Sequence, residues 1–114
     1  MYRPPMPQQQ DLLPGTLDLL ILKILSRGPL HGYGIAQRLH EASESALAVG
    51  EGSLYPALQR LLVNEWTEAR WAQSESGRRV RLYELTELGR KRLKQEEQDF
   101  ERMVDAIRLV LRTV

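Results

Sequence analysis

The C-terminal part of the chain limits the possible folds more than any other stretch. Apolar residues recur there every three or four positions in a segment that is otherwise rich in charge: Leu93, Phe100, Val104, Ile107, Leu111 and Val114. This spacing predicts a helix from Glu87 nearly to Val114 with one apolar stripe. At 1.5 Å per residue the helix is about 40 Å long, farther than a domain of about 70 residues can cover.

Two interpretations of this stripe remain open at the level of the sequence. The helix folds back on its own core, or its distal half packs against a second copy of the chain, which we predict. The predicted dimerisation residues of this helix are Phe100, Met103, Val104, Ile107, Val110 and Leu111. The first helix also has two apolar faces: we expect Leu17, Leu20, Ile21, Ile24 and Leu25 to face the core. Leu19 and Leu22 then face the partner.

Five further segments precede the last helix. A helix from Thr16 to Arg27 ends at Gly28-Pro29, and a second helix runs from Gly32 to about Ala42. A third helix is capped by Ser53, with Gly52 as the alternative, so that Pro56 lies in its first turn. Alternation predicts strands at Thr67–Gln73 and Val80–Leu85, after which Thr86 caps the last helix.

This order of elements is that of a winged helix-turn-helix with a C-terminal helix. The predicted fold class is therefore mainly α with a small β-hairpin (α+β). We expect a disordered tail at residues 1–12, a winged helix-turn-helix domain at 13–85 and a dimerisation helix at 86–114. No apolar run is long enough to span a membrane, and the absence of cysteine excludes disulfides and fits a reducing cytoplasm.

The net charge of +1 conceals a local excess of cations. Seven cations and two anions lie between Arg78 and Lys94, and Arg78, Arg79 and Arg81 occupy the hairpin tip and its outgoing strand. Phosphate contacts from such a position supply sequence-independent affinity for nucleic acid. We therefore predict that the wing binds double-stranded DNA.

The third helix would be the element that is offered to DNA. Side chains on its outer face can hydrogen-bond to phosphates and base edges, namely Ser53, Tyr55, Gln59 and Arg60. Pro56 keeps this turn rigid. The alternative for Tyr55 is packing against the wing, and both roles are compatible.

Three stretches resemble the PadR family of bacterial transcriptional regulators, specifically its short members with one C-terminal helix. They are Pro14–Leu39, Gly52–Trp66 with "LYPAL", and Ser76–Leu93 with "YELTELGRKRL". The resemblance implies a homodimeric repressor that binds a roughly palindromic operator and dimerises through its first and last helices. It places DNA contacts on Ser53, Tyr55, Pro56, Gln59 and Arg60, places the wing at Gly77, Arg78 and Arg79, and gives Tyr33 a phosphate or core role.

The resemblance also implies a small aromatic effector, although the sequence contains no identifiable ligand site. Trp66 departs from the family, which commonly has glycine at the end of the recognition helix. Repression is expected rather than activation, because no segment is left to recruit polymerase.

Two rival functions were weighed. An enzyme is the weaker rival, since His31 and His40 lack the spacing of metal ligands and no nucleophile–base pair is recognisable. We expect no cofactor and no metal, and His31 is interpreted as a turn or cap residue. The stronger rival is a winged-helix protein–protein adaptor, which would have no need for three arginines on the wing.

Overall fold

The computed structural model describes residues 15–114. Its elements are α1 (Thr16–Leu25), β1 (Leu30–His31), α2 (Gly32–Ala42), α3 (Glu51–Val63), β2 (Thr67–Gln73), β3 (Arg79–Leu85) and α4 (Glu87–Thr113). The three strands form an antiparallel sheet in the order β1-β3-β2. The α+β winged-helix prediction is thereby confirmed, whereas the predicted tail at 1–12 lies outside the described residues.

The core lies between the first three helices and the inner face of the sheet. The largest fully buried side chains are Ile21, Leu22, Leu25, Ile35, Leu58 and Leu61. Full burial of one such side chain stabilises the fold by roughly 1.5–3 kcal/mol. In α2 the predicted stripe of Ile35 and Leu39 is buried and Ala36 is half-buried, as expected.

The prediction of a second, partner-facing side of α1 is wrong, although Ile21 and Leu25 of the predicted core face are buried. Leu19 and Leu22 are 8% and 1% exposed and belong to the core of their own protomer, so Leu22 cannot contact a partner. The half-buried face instead carries Leu17, Leu20 and Ile24. The reason is that α1 packs between elements on several sides: α3 and α2 cover one side, while α4 approaches the other.

Two ion pairs of α1 agree with this orientation. Asp18 accepts hydrogen bonds from Arg60 of α3, with Nη2 to Oδ1 at 2.7 Å. Lys23 reaches Glu97 of α4 at 3.3 Å. The two charged residues therefore point to different neighbours instead of flanking one outward face.

The two-residue strand β1 was not predicted. Leu30 pairs with Tyr83 and His31 with Leu82, so β1 covers the root of β3 and leaves the outer part of that edge free. The hairpin itself matches the prediction, except that β3 begins one residue earlier, at Arg79. We call β2, β3 and the loop 74–78 the wing.

The start of α3 differs from the prediction. Gly50 is the N-cap and makes no side-chain cap, so neither Ser53 nor Gly52 has that role. Because the helix begins at Glu51, Pro56 lies in its second turn, where its missing N–H leaves the carbonyl of Gly52 without the usual helical donor. At α1, too, the N-cap is Gly15 and Thr16 is already helical.

The end of α3 is tied to the start of α4. Glu65 has a positive φ of 62°, and the amides of Glu65 and Trp66 donate to Leu62 and Leu61, which is a Schellman ending. The backbone position that favours glycine is therefore Glu65, one residue before the predicted departure at Trp66. Thr86 caps α4 as predicted, accepting from the Gly89 amide at 2.9 Å, and its hydroxyl donates to the Glu65 carbonyl at 2.7 Å.

The distal half of α4 projects from the domain. The radius of gyration is 16.0 Å, compared with about 13 Å for a compact chain of about 100 residues. Phe100, Met103, Ile107, Val110 and Leu111, all predicted dimerisation residues, are exposed, and Val104 is half-buried. Their stripe is thus largely uncovered in the protomer.

Candidate nucleic-acid interface

A groove of about 460 Å³ lies between the wing and the first turns of α2 and α3. Five of the residues that the sequence analysis selected line it: Tyr33, Tyr55, Arg78, Arg79 and Arg81. They come from three separate parts of the chain. The fold therefore brings two phenol groups and three guanidinium groups, all exposed, to one concave surface.

Tyr55 packs on the backbone of α2 and remains open to the groove. A Cβ on the buried Gly32 would lie 2.8 Å from the Tyr55 hydroxyl oxygen, so this close approach needs glycine. The ring is still 46% exposed. Tyr55 thus packs on α2 and at the same time lines the groove that the wing borders.

Tyr33 is the most exposed of the groove aromatics at 71%. Its ring stacks against His31, with 6.3 Å between centroids. His31 is the N-cap of α2, and its Nδ1 accepts a hydrogen bond from the Gly34 amide at 2.9 Å. The cap role of His31 agrees with the prediction, and the core alternative for Tyr33 is excluded by its exposure.

The wing separates its charges by face. On the inner face, which continues from buried Leu85 and Tyr83 toward the tip, Arg81 lies over the Tyr83 ring and Arg79 over the Trp71 ring. On the outer face, Arg70 forms an ion pair with Glu84 at 3.5 Å. Within residues 15–114, none of the five salt bridges includes Arg78, Arg79 or Arg81. Their charge is available to a polyanion.

The outer face of α3 carries the other selected residues. Ser53, Pro56 and Gln59 are exposed, and Gln59 lines a second, open groove of about 800 Å³ together with Arg81. Tyr55 and Arg60 are about 140° apart around the helix, at opposite borders of this face.

Arg60 makes a contact within the chain that was not predicted. Its guanidinium donates to both carboxylate oxygens of Asp18, at 2.7 and 3.3 Å, and these hydrogen bonds, more than the Coulomb attraction, raise the pKa of Arg60 above its usual range. In the structure Arg60 therefore contributes to the α1–α3 contact, and its contact with a base edge stays a prediction. The contact with Asp18 could not be predicted from a local pattern, because the two residues are 42 positions apart.

Trp71 is the site residue that the sequence analysis did not select. It alternates with Thr67 and Ala69 in the sequence, and the pairing of Trp71 with Arg81 and of Gln73 with Arg79 places it on the face of these arginines. In the part of the chain that the structure describes, no cluster of His, Cys, Asp or Glu could hold a metal ion. No helix among residues 15–114 is long and apolar enough to cross a membrane.

Residues 21–95 match the model of the transcriptional regulator PadR-like family, which is well over half of the chain. This chain belongs to the PadR-like family. A transcriptional regulator from Clostridium thermocellum superposes on it with a TM-score of 0.78 at 26% identity, covering 86% of this chain and 95% of that one. A PadR family regulator from Clostridium difficile gives a TM-score of 0.74 at 28% identity, covering 85% and 99%.

A third solved structure is that of Bacillus subtilis PadR in complex with operator DNA. It is 25% identical to this PadR-like chain with a TM-score of 0.63, and the match covers 71% of this chain but only 46% of that protein. The family and its solved members are transcriptional regulators and not enzymes.

Proposed function

We propose that this PadR-like chain is a homodimeric regulator that binds duplex DNA through α3 and the wing and acts as a repressor. The observation that supports this most directly is the groove, where two exposed tyrosines face three arginines that have no acidic partner among the described residues. Cations and hydroxyl donors on one concave surface suit a phosphate backbone.

The roles of the two elements are distinct in this proposal. Arg78, Arg79 and Arg81 contact phosphates and fix the position of the wing on the duplex. Gln59 and Ser53 lie on the exposed face of α3 and reach base edges, where an amide side chain suits adenine. Tyr33 and Tyr55 donate to the backbone between the two.

The proposed dimer forms through the exposed stripe of α4. A 27-residue helix with five exposed apolar residues along one side is suited to a second copy of the same helix. The half-buried face of α1 beside α4, with Leu20 and Ile24, replaces Leu19 and Leu22 as its extension. A two-fold dimer presents two α3 helices and therefore reads a roughly palindromic operator.

Repression follows if the bound dimer occupies DNA that polymerase needs. The proposal includes release by an effector, and a small aromatic molecule is the class that the family resemblance implies. The rival function is that of a winged-helix protein–protein adaptor that does not bind DNA. The following experiment distinguishes it from the proposed regulator.

Duplex binding measured at several salt concentrations tests the proposal. If three cations per protomer meet phosphate, log K falls with log salt with a slope of about −5 for a dimer, since each contact contributes about −0.9. Arg79→Ala reduces the magnitude of this slope on every duplex, whereas the matched control Arg70→Ala, on the outer face, leaves it unchanged. A flat salt dependence for the wild type would favour the adaptor.

A further inference from the structure

The wing carries one large aromatic side chain that the proposed function does not use. Trp71 is 57% exposed, although its neighbours on the inner face nearer the core are half-buried Ala69 and buried Tyr83. An exposed apolar side chain is common on protein surfaces and is no argument by itself. What distinguishes Trp71 is the cation that lies on its ring.

Arg79 places its guanidinium carbon 4.5 Å from the centroid of the Trp71 ring. The two residues are diagonal neighbours across the hairpin, because Trp71 pairs with Arg81 and Gln73 pairs with Arg79. Arg81 also lies over an aromatic ring, 5.7 Å from the centroid of Tyr83, which is two residues further along the same strand. Both inner-face arginines are thus held by rings, and neither is neutralised by a carboxylate within residues 15–114.

This mode of holding an arginine has a physical consequence. A carboxylate would fix the guanidinium but would also compete with phosphate for it, as Glu84 does for Arg70 on the outer face. An indole restricts the side chain while leaving its charge and its N–H donors available. Less rotational freedom is then lost when the arginine binds DNA.

We propose that Trp71 is a positioning residue for Arg79 in duplex recognition, and that the pair confers a preference for a narrow, A·T-rich minor groove beside the half-site. The inference rests on the proposed function. Arg79 contacts the phosphates that border the minor groove, where the negative potential is strongest if the groove is narrow. The indole stays at the edge of that groove, against the deoxyribose of one strand.

The test compares two duplexes that share the half-sites selected by the protein and differ only in the flank beneath the wing. One flank is an A-tract and the other is G·C-rich. We expect the wild type to bind the A-tract duplex about fivefold more tightly. Trp71→Ala reduces this preference below about twofold without changing the salt slope, since no charge is removed. Arg70→Ala, on the opposite face, leaves the preference unchanged.

A double-mutant comparison separates positioning of Arg79 from an independent contact. Because Trp71 acts through Arg79, Trp71→Ala has little further effect in an Arg79→Ala background. Trp71→Phe keeps an aromatic ring and is expected to give an intermediate preference for the A-tract flank. It replaces Trp71→Ala in this test if the alanine variant melts at a lower temperature. In a Trp66→Phe background, the emission of Trp71 shifts to shorter wavelength when the A-tract duplex is added.

Two results would overturn the inference while leaving the proposed function intact. One is a flank preference as large as that of the wild type in both Trp71→Ala and Trp71→Phe. The other is a loss of flank preference from Trp71→Ala that is as large in the Arg79→Ala background as in the wild type. A wild type that binds neither duplex would instead remove the proposed function and, with it, this inference.

Discussion

At Gly89 the first turn of α4 touches the turn that follows α3. A Cβ at this position would collide with the carbonyl oxygen of Trp66, which also accepts the Thr86 amide at 3.1 Å. From sequence, Gly89 is only a poor helix former in an otherwise clear helix. Glycine is needed at position 89 because of a backbone contact between residues 23 positions apart. No local sequence pattern could reveal this contact.

Gly89→Ala is expected to lower the free energy of unfolding by about 1–3 kcal/mol, because backbone atoms and not a flexible side chain must move. Thermal melting measures the effect. Gly52→Ala is the matched control, since nothing lies within 4 Å of a Cβ there and alanine favours a helix. Equal melting temperatures for wild type and Gly89→Ala would contradict the packing described for this turn.

Gln59 and Arg60 are neighbours in sequence but are expected to differ in function. Gln59→Ala changes the preferred base at one position of each half-site, at a cost of about 1–3 kcal/mol for the preferred sequence. Arg60→Ala removes the Asp18 contact and lowers stability by no more than about 1 kcal/mol, since the pair is partly exposed. Binding to a panel of duplexes with single-base changes distinguishes the two variants. A changed base preference for Arg60→Ala would show that Arg60 also contacts a base.

At the scale of elements, the sequence predicted those with a clear period or a strong break. The hairpin bounds, α2 and the Thr86 cap of α4 agree with the structure because alternation and capping are local signals. The two-residue β1 has no period, and its pairing depends on β3 some 50 positions later. In α1 the predicted core residues Ile21 and Leu25 are buried, but Leu19 and Leu22 are buried as well. Every residue from Leu19 to Leu22 is apolar, so the sequence pattern could not show which of them lie in the core.

The distal half of α4 carries the prediction for assembly. Ile107→Asp should convert the dimer to a monomer that keeps its winged-helix fold, since Ile107 is 48% exposed and outside the core. Gln98→Asp introduces the same charge on the opposite side of the helix and should leave the dimer intact. Sedimentation at micromolar concentration measures both, and a monomeric wild type would refute the assembly.

At the scale of the whole molecule, the proposed dimer predicts the symmetry of the DNA site. Selection of bound duplexes from a random pool should yield two-fold symmetric sites with half-sites separated by about 10 base pairs or a multiple of that. The monomeric Ile107→Asp variant should bind a single half-site, with a salt slope about half that of the wild type. Asymmetric sites from the wild type would show that the two α3 helices do not act together. The apolar stripe of α4 could be predicted from the sequence. The relative position of the two α3 helices could not, because it depends on how two copies of the chain pack.

One residue, Thr86, separates the wing from the long C-terminal helix, and both its hydroxyl and its amide are hydrogen-bonded to the turn after α3. The wing and α4 are therefore joined at Thr86 without a flexible linker. In the proposed dimer, α4 and the wing of each copy therefore move as one rigid unit, so the angle at which the two α4 helices cross sets the distance between the two wing tips. An event that changes this angle would change the length of DNA that the two wing tips span.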